Sequence, residues 1–157
     1  MGKGIDREWP TPSPVEAAYL AGLFDGEGCV TMARHLHRGG RSGPLTYRMF
    51  VELVNTDESV VVLFHQYFGG HIYRREPKKV THRVIWRWQA TSYAARRAME
   101  VLLPYLRIKR ARAEIMIEYA KTARGWGGKA LSQEVWDYRA VLVEKAKELN
   151  SLTRRAH

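Results

Sequence analysis

Tyr19-Leu20-Ala21-Gly22-Leu23-Phe24-Asp25-Gly26-Glu27-Gly28 is the stretch on which the fold turns, because it joins a helical pattern to a strand pattern without a linker. Upstream, Ser13 reads as an N-cap, Pro14 as the first helical residue and Glu16 as the third position of a capping box, so a helix is expected over 14–25. Val15, Ala18, Tyr19, Ala21, Gly22 and Leu23 cover most of its circumference, which predicts a central helix with little surface facing solvent. Ala18, Gly22 and Gly26 recur every four positions, a stripe narrow enough for another helix to approach closely. Downstream, Val30 and Met32 alternate with Thr31, Ala33, His35 and His37, which predicts a strand over 28–37.

Working outward, a glycine-rich loop at 38–44 leads to a second alternating run, Tyr47, Met49, Val51 and Leu53 against Arg48, Phe50 and Glu52. These two strands should pair as an antiparallel hairpin. Asn55 or Thr56 is expected to cap a helix over 57–68 that stops at Gly69-Gly70. A second hairpin follows, with strands over 71–76 and 82–91 and Pro77-Lys78-Lys79 in the turn. Three helices are expected after it, over 93–103, 109–124 and, beyond the break at 125–128, 131–149. In the last, Leu131, Val135, Tyr138, Leu142, Ala146 and Leu149 form the stripe expected to pack on the body. The order αββαββα predicts an α+β fold with a four-stranded antiparallel sheet and additional C-terminal helices. The chain reads as one domain over 1–157, with a leader over 1–13, a core over 14–124 and a C-terminal helix over 129–150.

With 26 Lys and Arg against 16 Asp and Glu, the formal charge is +10 and the pI about 10.0, a balance suited to polyanionic partners. The lone Cys29 excludes an internal disulfide and a cysteine-based zinc cluster. No run approaches the ~18 apolar residues of a membrane span, so the expectation is a soluble, intracellular protein with no membrane partner. Helices on one side of the sheet leave the other side open, and alternation puts Thr31, His35, His37, Arg48, Glu52, Tyr73, Arg75, Arg83, Arg87 and Gln89 there. Such a surface can be a solvated polar face or can read base edges, since Arg, Gln, Thr and His on β-ribbons contact bases and phosphates in a major groove. Trp86 and Trp88 share the opposite face and read as core.

The stretch 19–28 resembles the signature of the LAGLIDADG homing endonucleases, matching L-A-G-L, then Phe for the Ile, then D-G-E-G. Leu103-Pro104-Tyr105-Leu106-Arg107-Ile108-Lys109 resembles the family segment that delivers an active-site lysine. The resemblance covers about 14–124 and implies a site-specific double-strand DNA endonuclease. Within it, Glu27 is the catalytic metal ligand, in place of the family's more frequent Asp, and the Gly26 carbonyl is its neighbour at the metal. Lys109 would activate water or stabilise transition-state charge, Asn55 would position water, and Asp25 would be structural. Ala33 and Phe50, which alternate onto the same face as Thr31 and Arg48, are counted with the DNA-contacting set. Phosphodiester hydrolysis needs charge neutralisation at phosphorus, a deprotonated water and a stabilised leaving oxygen, which divalent metals on carboxylates supply together. Magnesium, with manganese as a substitute, suits oxygen ligands. No organic cofactor is implied. One motif supplies one such carboxylate, so a homodimer meeting through Ala18, Ala21, Gly22 and Gly26 on a pseudo-palindromic target is expected. The alternative is an RNA-binding intron maturase or a non-cleaving DNA-binding protein of the same fold.

Overall fold

Residues 9–35, 46–122 and 131–155 are described in the computed structural model of the chain. The end of the first expected strand with His37, the loop at 38–44 and the break at 125–128 lie outside them. The capping box forms as expected: Ser13 Oγ accepts from the Glu16 amide at 3.2 Å and the Glu16 carboxylate accepts from the Ser13 amide at 3.3 Å. Helix α1 (Pro14–Glu27) follows and runs two residues further than the pattern suggested, so that Glu27 is its last residue. Strand β1 (Gly28–His35) starts at once, then β2 (Thr46–Asn55), α2 (Glu58–Phe68), β3 (His71–Arg75), β4 (Ile85–Thr91), α3 (Ser92–Leu102), α4 (Arg110–Lys121) and α5 (Gln133–Arg155).

The four strands make one antiparallel sheet in the order β1-β2-β4-β3, an α+β arrangement as expected. Two-residue alternation decides which side each residue meets. Val30, Met32, Val51, Leu53, Trp88 and Ala90 are buried beneath the helices, and Phe24, Phe64, Phe68, Met99, Leu102 and Met116 fill the core against them. Trp88 lies at its centre, its ring centroid 5.1 Å from that of Phe64, and its indole N–H donates to the Gly69 carbonyl at 2.7 Å. Gly69 and Gly70, at φ +69° and +88°, stop α2 in a left-handed turn, where a Cβ on Gly69 would also strike the Trp9 ring. Trp88→Ala removes a fully buried indole and leaves a buried carbonyl unpaired. We expect it to cost about 3–5 kcal/mol in urea unfolding, with a smaller loss for Trp88→Phe, which keeps most of the volume.

Several expected boundaries move. The cap of α2 is Asp57, whose carboxylate accepts from the Ser59 amide at 2.9 Å, while Asn55 Oδ1 accepts from the Asp57 amide at 2.8 Å. The carboxylate outcompetes the earlier candidates because it faces the amides at the helix's positive end. The second hairpin has a connection over 76–84, longer than a turn at 77–79, so Arg83 precedes β4. On α5 the buried residues are Leu142, Val143, Ala146 and Arg139, while Tyr138 is exposed. They close a second cluster with Met32 and Tyr119, and Arg139 reaches Thr122 with both its Nε and Nη2 while lying over the Tyr119 ring. A guanidinium can be a packing residue when its donors are met, which apolar spacing alone does not reveal.

Candidate functional site

The C-terminal end of α1 gathers two carboxylates where the helix dipole is negative, with no basic residue in the last turn. They have opposite surroundings. The Asp25 carboxylate accepts three backbone N–H bonds, from Arg107 at 2.8 Å, Ile108 at 3.2 Å and Lys109 at 2.9 Å. It pins the segment before α4 to the foot of α1, the structural part expected of it. Glu27 is exposed and has no hydrogen bond or ion pair among the described residues. An exposed carboxylate at the negative end of a helix attracts a cation.

Lys109, the N-cap residue of α4, is buried, and its ammonium donates to the Asp25 backbone carbonyl. Burial pushes its pKa below the ordinary 10.5; the nearby Asp25, Cys29 and Glu27 oppose that shift, and Arg112 adds to it. Lys109 thus stands within electrostatic reach of Glu27, although 82 positions separate them. Gly26 is exposed beside Glu27, with nothing within 4 Å of where its Cβ would be. Asn55 lies two residues beyond Leu53, which pairs with Gly28, but its side-chain oxygen is occupied by the Asp57 amide. Among the described residues no group of three or more His, Cys, Asp and Glu could hold a metal. Glu27 and the Gly26 carbonyl are hard oxygen donors that fit magnesium but form only part of a coordination shell.

The expectation of a helix with little exposed surface does not hold for α1 within one chain: Val15 is 80% exposed and Tyr19 54%, and Ala18, Gly22 and Gly26 lie on the same open side. At about 100° per residue these five positions span a single face, opposite Ala17, Leu20, Ala21 and Phe24. Ala21, expected in the contact stripe, instead points into the core and is fully buried. The apolar character all round α1 therefore comes from two faces, one in the core and one open. A hollow of about 570 Å³ lies beside the open face, between Ala18, Gly22 and Asp25 on one side and Tyr105, Arg107 and Arg110 on the other.

The sheet side away from the helices carries Thr31, Arg48, Phe50, Glu52, Tyr73, Arg75, Arg87 and Gln89, all partly or fully exposed. Cross-strand pairing aligns them: Thr31 with Phe50, Glu52 with Gln89, and Tyr73 with Arg87. Ala33 and His35 continue β1 opposite Arg48 and Thr46, Arg83 is exposed in the connection before β4, and His37 is outside the described residues. Trp86 and Trp88 occupy the helix side, as read from sequence. The sequence reading passed over His71, Val54 and Ile85 on the open side; extending the alternation of β3 and β4 by one pair would have included His71 and Ile85.

No family model matches the chain, and no curated protein matches it in sequence. Solved structures do match. The homing endonuclease I-CvuI in complex with its target, in the presence of calcium, aligns with a TM-score of 0.69 at 21% identity over 86% of this chain and 82% of its own. The archaeal intron-encoded homing endonuclease I-Vdi141I complexed with DNA aligns at 0.66 and 13% identity, over 86% and 84%. The LAGLIDADG homing endonuclease I-SmaMI bound to cleaved DNA aligns at 0.61 and 15% identity, over 85% of this chain and 47% of its own. With one copy of the signature, on a helix that leads straight into an antiparallel sheet, the chain has the single-motif form of the LAGLIDADG homing endonuclease fold.

Proposed function

We propose that the protein is a homodimeric, site-specific DNA endonuclease of the homing type, hydrolysing both strands of a pseudo-palindromic target with magnesium. The observation that carries this reading is the unpaired Glu27 at the negative end of α1, beside the buried Lys109 and at the edge of an arginine-bearing sheet face. I-CvuI and I-Vdi141I are homing endonucleases complexed with DNA, and the I-CvuI complexes were obtained in the presence of magnesium, with the DNA not cleaved, or of calcium. An intron-encoded origin, like that of I-Vdi141I, goes with the same reading.

In this account Glu27 and the Gly26 carbonyl of each copy would hold magnesium, which when bound would supply charge neutralisation at the phosphate and activation of water. Asp25 keeps Lys109 at the site by fixing the 107–109 backbone. Lys109 acts in its charged form, because its ammonium already donates to a carbonyl and is flanked by two carboxylates. Asn55 is proposed as a water-positioning residue, which requires its side chain to release the Asp57 amide. The open face of α1 is proposed as the twofold contact through Ala18, Gly22 and Gly26, with Val15 and Tyr19 beside them.

One consequence is a pH signature. A lysine needed in its charged form loses activity as pH rises through its folded-state pKa, which burial has lowered here. The single-turnover rate should therefore fall on the alkaline side below the ordinary lysine value of 10.5, and Lys109→Arg should move that fall upward. A rate that rises through this window assigns Lys109 the role of base instead.

Selection from a randomised duplex library in calcium tests the reading as a whole. The expected result is an enriched site with two arms related by twofold symmetry, bound with log affinity falling steeply and linearly against log salt. Enrichment of no duplex, with retention of structured RNA, would move the assignment to the maturase alternative.

A further inference from the structure

We propose that the hollow at the β2, β4 and β3 side of the open sheet face reads a 5-methylpyrimidine next to a guanine. The proposal rests on the DNA-reading function above and gives that face a chemical preference. The hollow has a volume of about 340 Å³ and is lined by Val54, Tyr73, Arg75, Ile85 and Arg87. Three strands build it through register: Val54 and Tyr73 both pair with Arg87, and Arg75 pairs with Ile85. Val54 and Ile85 are half-buried β-branched residues on the side that the helices do not cover. They add nothing to the core, and an apolar floor is of no use for holding phosphate.

The rim supplies the complementary chemistry. Arg75 has no hydrogen bond or ion pair among the described residues. Arg87 has one ion-pair partner among them, Glu52, which lies 3.7 Å from its Nε and leaves both terminal amino groups free. On the covered side of β3, next to Arg75, Arg74 is satisfied by Glu76 and by the Trp86 ring. Free guanidinium groups over an apolar floor match a base step that offers the guanine N7 and O6 acceptors beside a C5 methyl group. Thymine and 5-methylcytosine both carry that methyl, and uracil and cytosine lack it.

The test uses the full chain and the duplex enriched from the randomised library. Each thymine next to a guanine is replaced by deoxyuridine, which removes only the methyl group, and each cytosine next to a guanine by 5-methylcytosine. We expect one position per arm at which deoxyuridine weakens binding about fourfold, as burying one methyl predicts, or at which 5-methylcytosine strengthens it to a similar degree. Which replacement responds identifies the natural base. In Val54→Ala/Ile85→Ala that response should vanish, while Lys147→Ala, an exposed position on α5, should retain it. Val54→Thr/Ile85→Thr keeps the β-branching, makes the floor polar and should give the same loss if the alanine pair unfolds. A site with no methyl-sensitive position, or a sensitivity unchanged in these variants, overturns the proposal and leaves the nuclease reading intact. A library that enriches no duplex at all overturns both.

Discussion

Glu27→Gln leaves DNA binding in place and lowers single-turnover cleavage in magnesium by about three orders of magnitude, the range in which removing one preorganised charge from a phosphoryl-transfer site falls. Glutamine keeps the size of the side chain and removes the anion. Glu27 is exposed and unpaired among the described residues, so the substitution breaks no contact in the fold, and the thermal midpoint should stay where it is. Affinity without metal should stay level or rise slightly, because a negative group facing phosphates has been neutralised. Asp25→Asn has a different signature. It weakens acceptance of three backbone N–H bonds and loosens the Lys109 segment, so it should lower stability and cleavage together. Cleavage by Glu27→Gln at the parental rate would remove the metal-ligand assignment.

Gly22→Leu abolishes dimerisation, and cleavage with it, while the chain still folds. Nothing lies within 4 Å of a Cβ built on Gly22, so its own chain does not require the glycine. A leucine there should stabilise the isolated helix by about 1 kcal/mol, since glycine is the poorer helix former. On the proposed dimer, the requirement for a small residue comes from outside the chain, from a second helix along the open face. Sedimentation at micromolar concentration should give a dimer for the parent and a folded monomer for the variant, with far-UV circular dichroism unchanged. A variant that remains dimeric and active would place the subunit contact on another surface.

Where one physical rule dominates, the sequence was legible. The capping box, the glycine stop after α2 and the strict alternation of β1, β2 and β4 each have a single strong cause, and the helices and faces follow from them. The structural part of Asp25 was also readable from the motif, whereas the helix end was not, since the pattern stopped it at Asp25 and it runs on to Glu27. The failures come where two rules compete. A helix that is apolar all round can be wholly buried or can have two apolar faces, and pattern alone does not distinguish these; hence the misplaced Ala21 and the overlooked exposure of Val15 and Tyr19. Three consecutive candidates, Asn55, Thr56 and Asp57, could each cap α2, and tertiary geometry chose the last. Arg139 was missed on α5 because a charged residue is buried only where its donors find partners, and those partners lie on α4 and just after it.

The central claim is that this chain cuts DNA at one site using a carboxylate from each of two copies. The most direct measurement takes the DNA flanking the reading frame, joined as it would be without the insertion, in a supercoiled plasmid. The purified protein is added in magnesium, with calcium and chelator controls. The account predicts one linear product in magnesium, cut once at the junction, and intact plasmid in calcium, in chelator and with Glu27→Gln. Plasmid that stays supercoiled in magnesium while the protein is bound to the junction would contradict it.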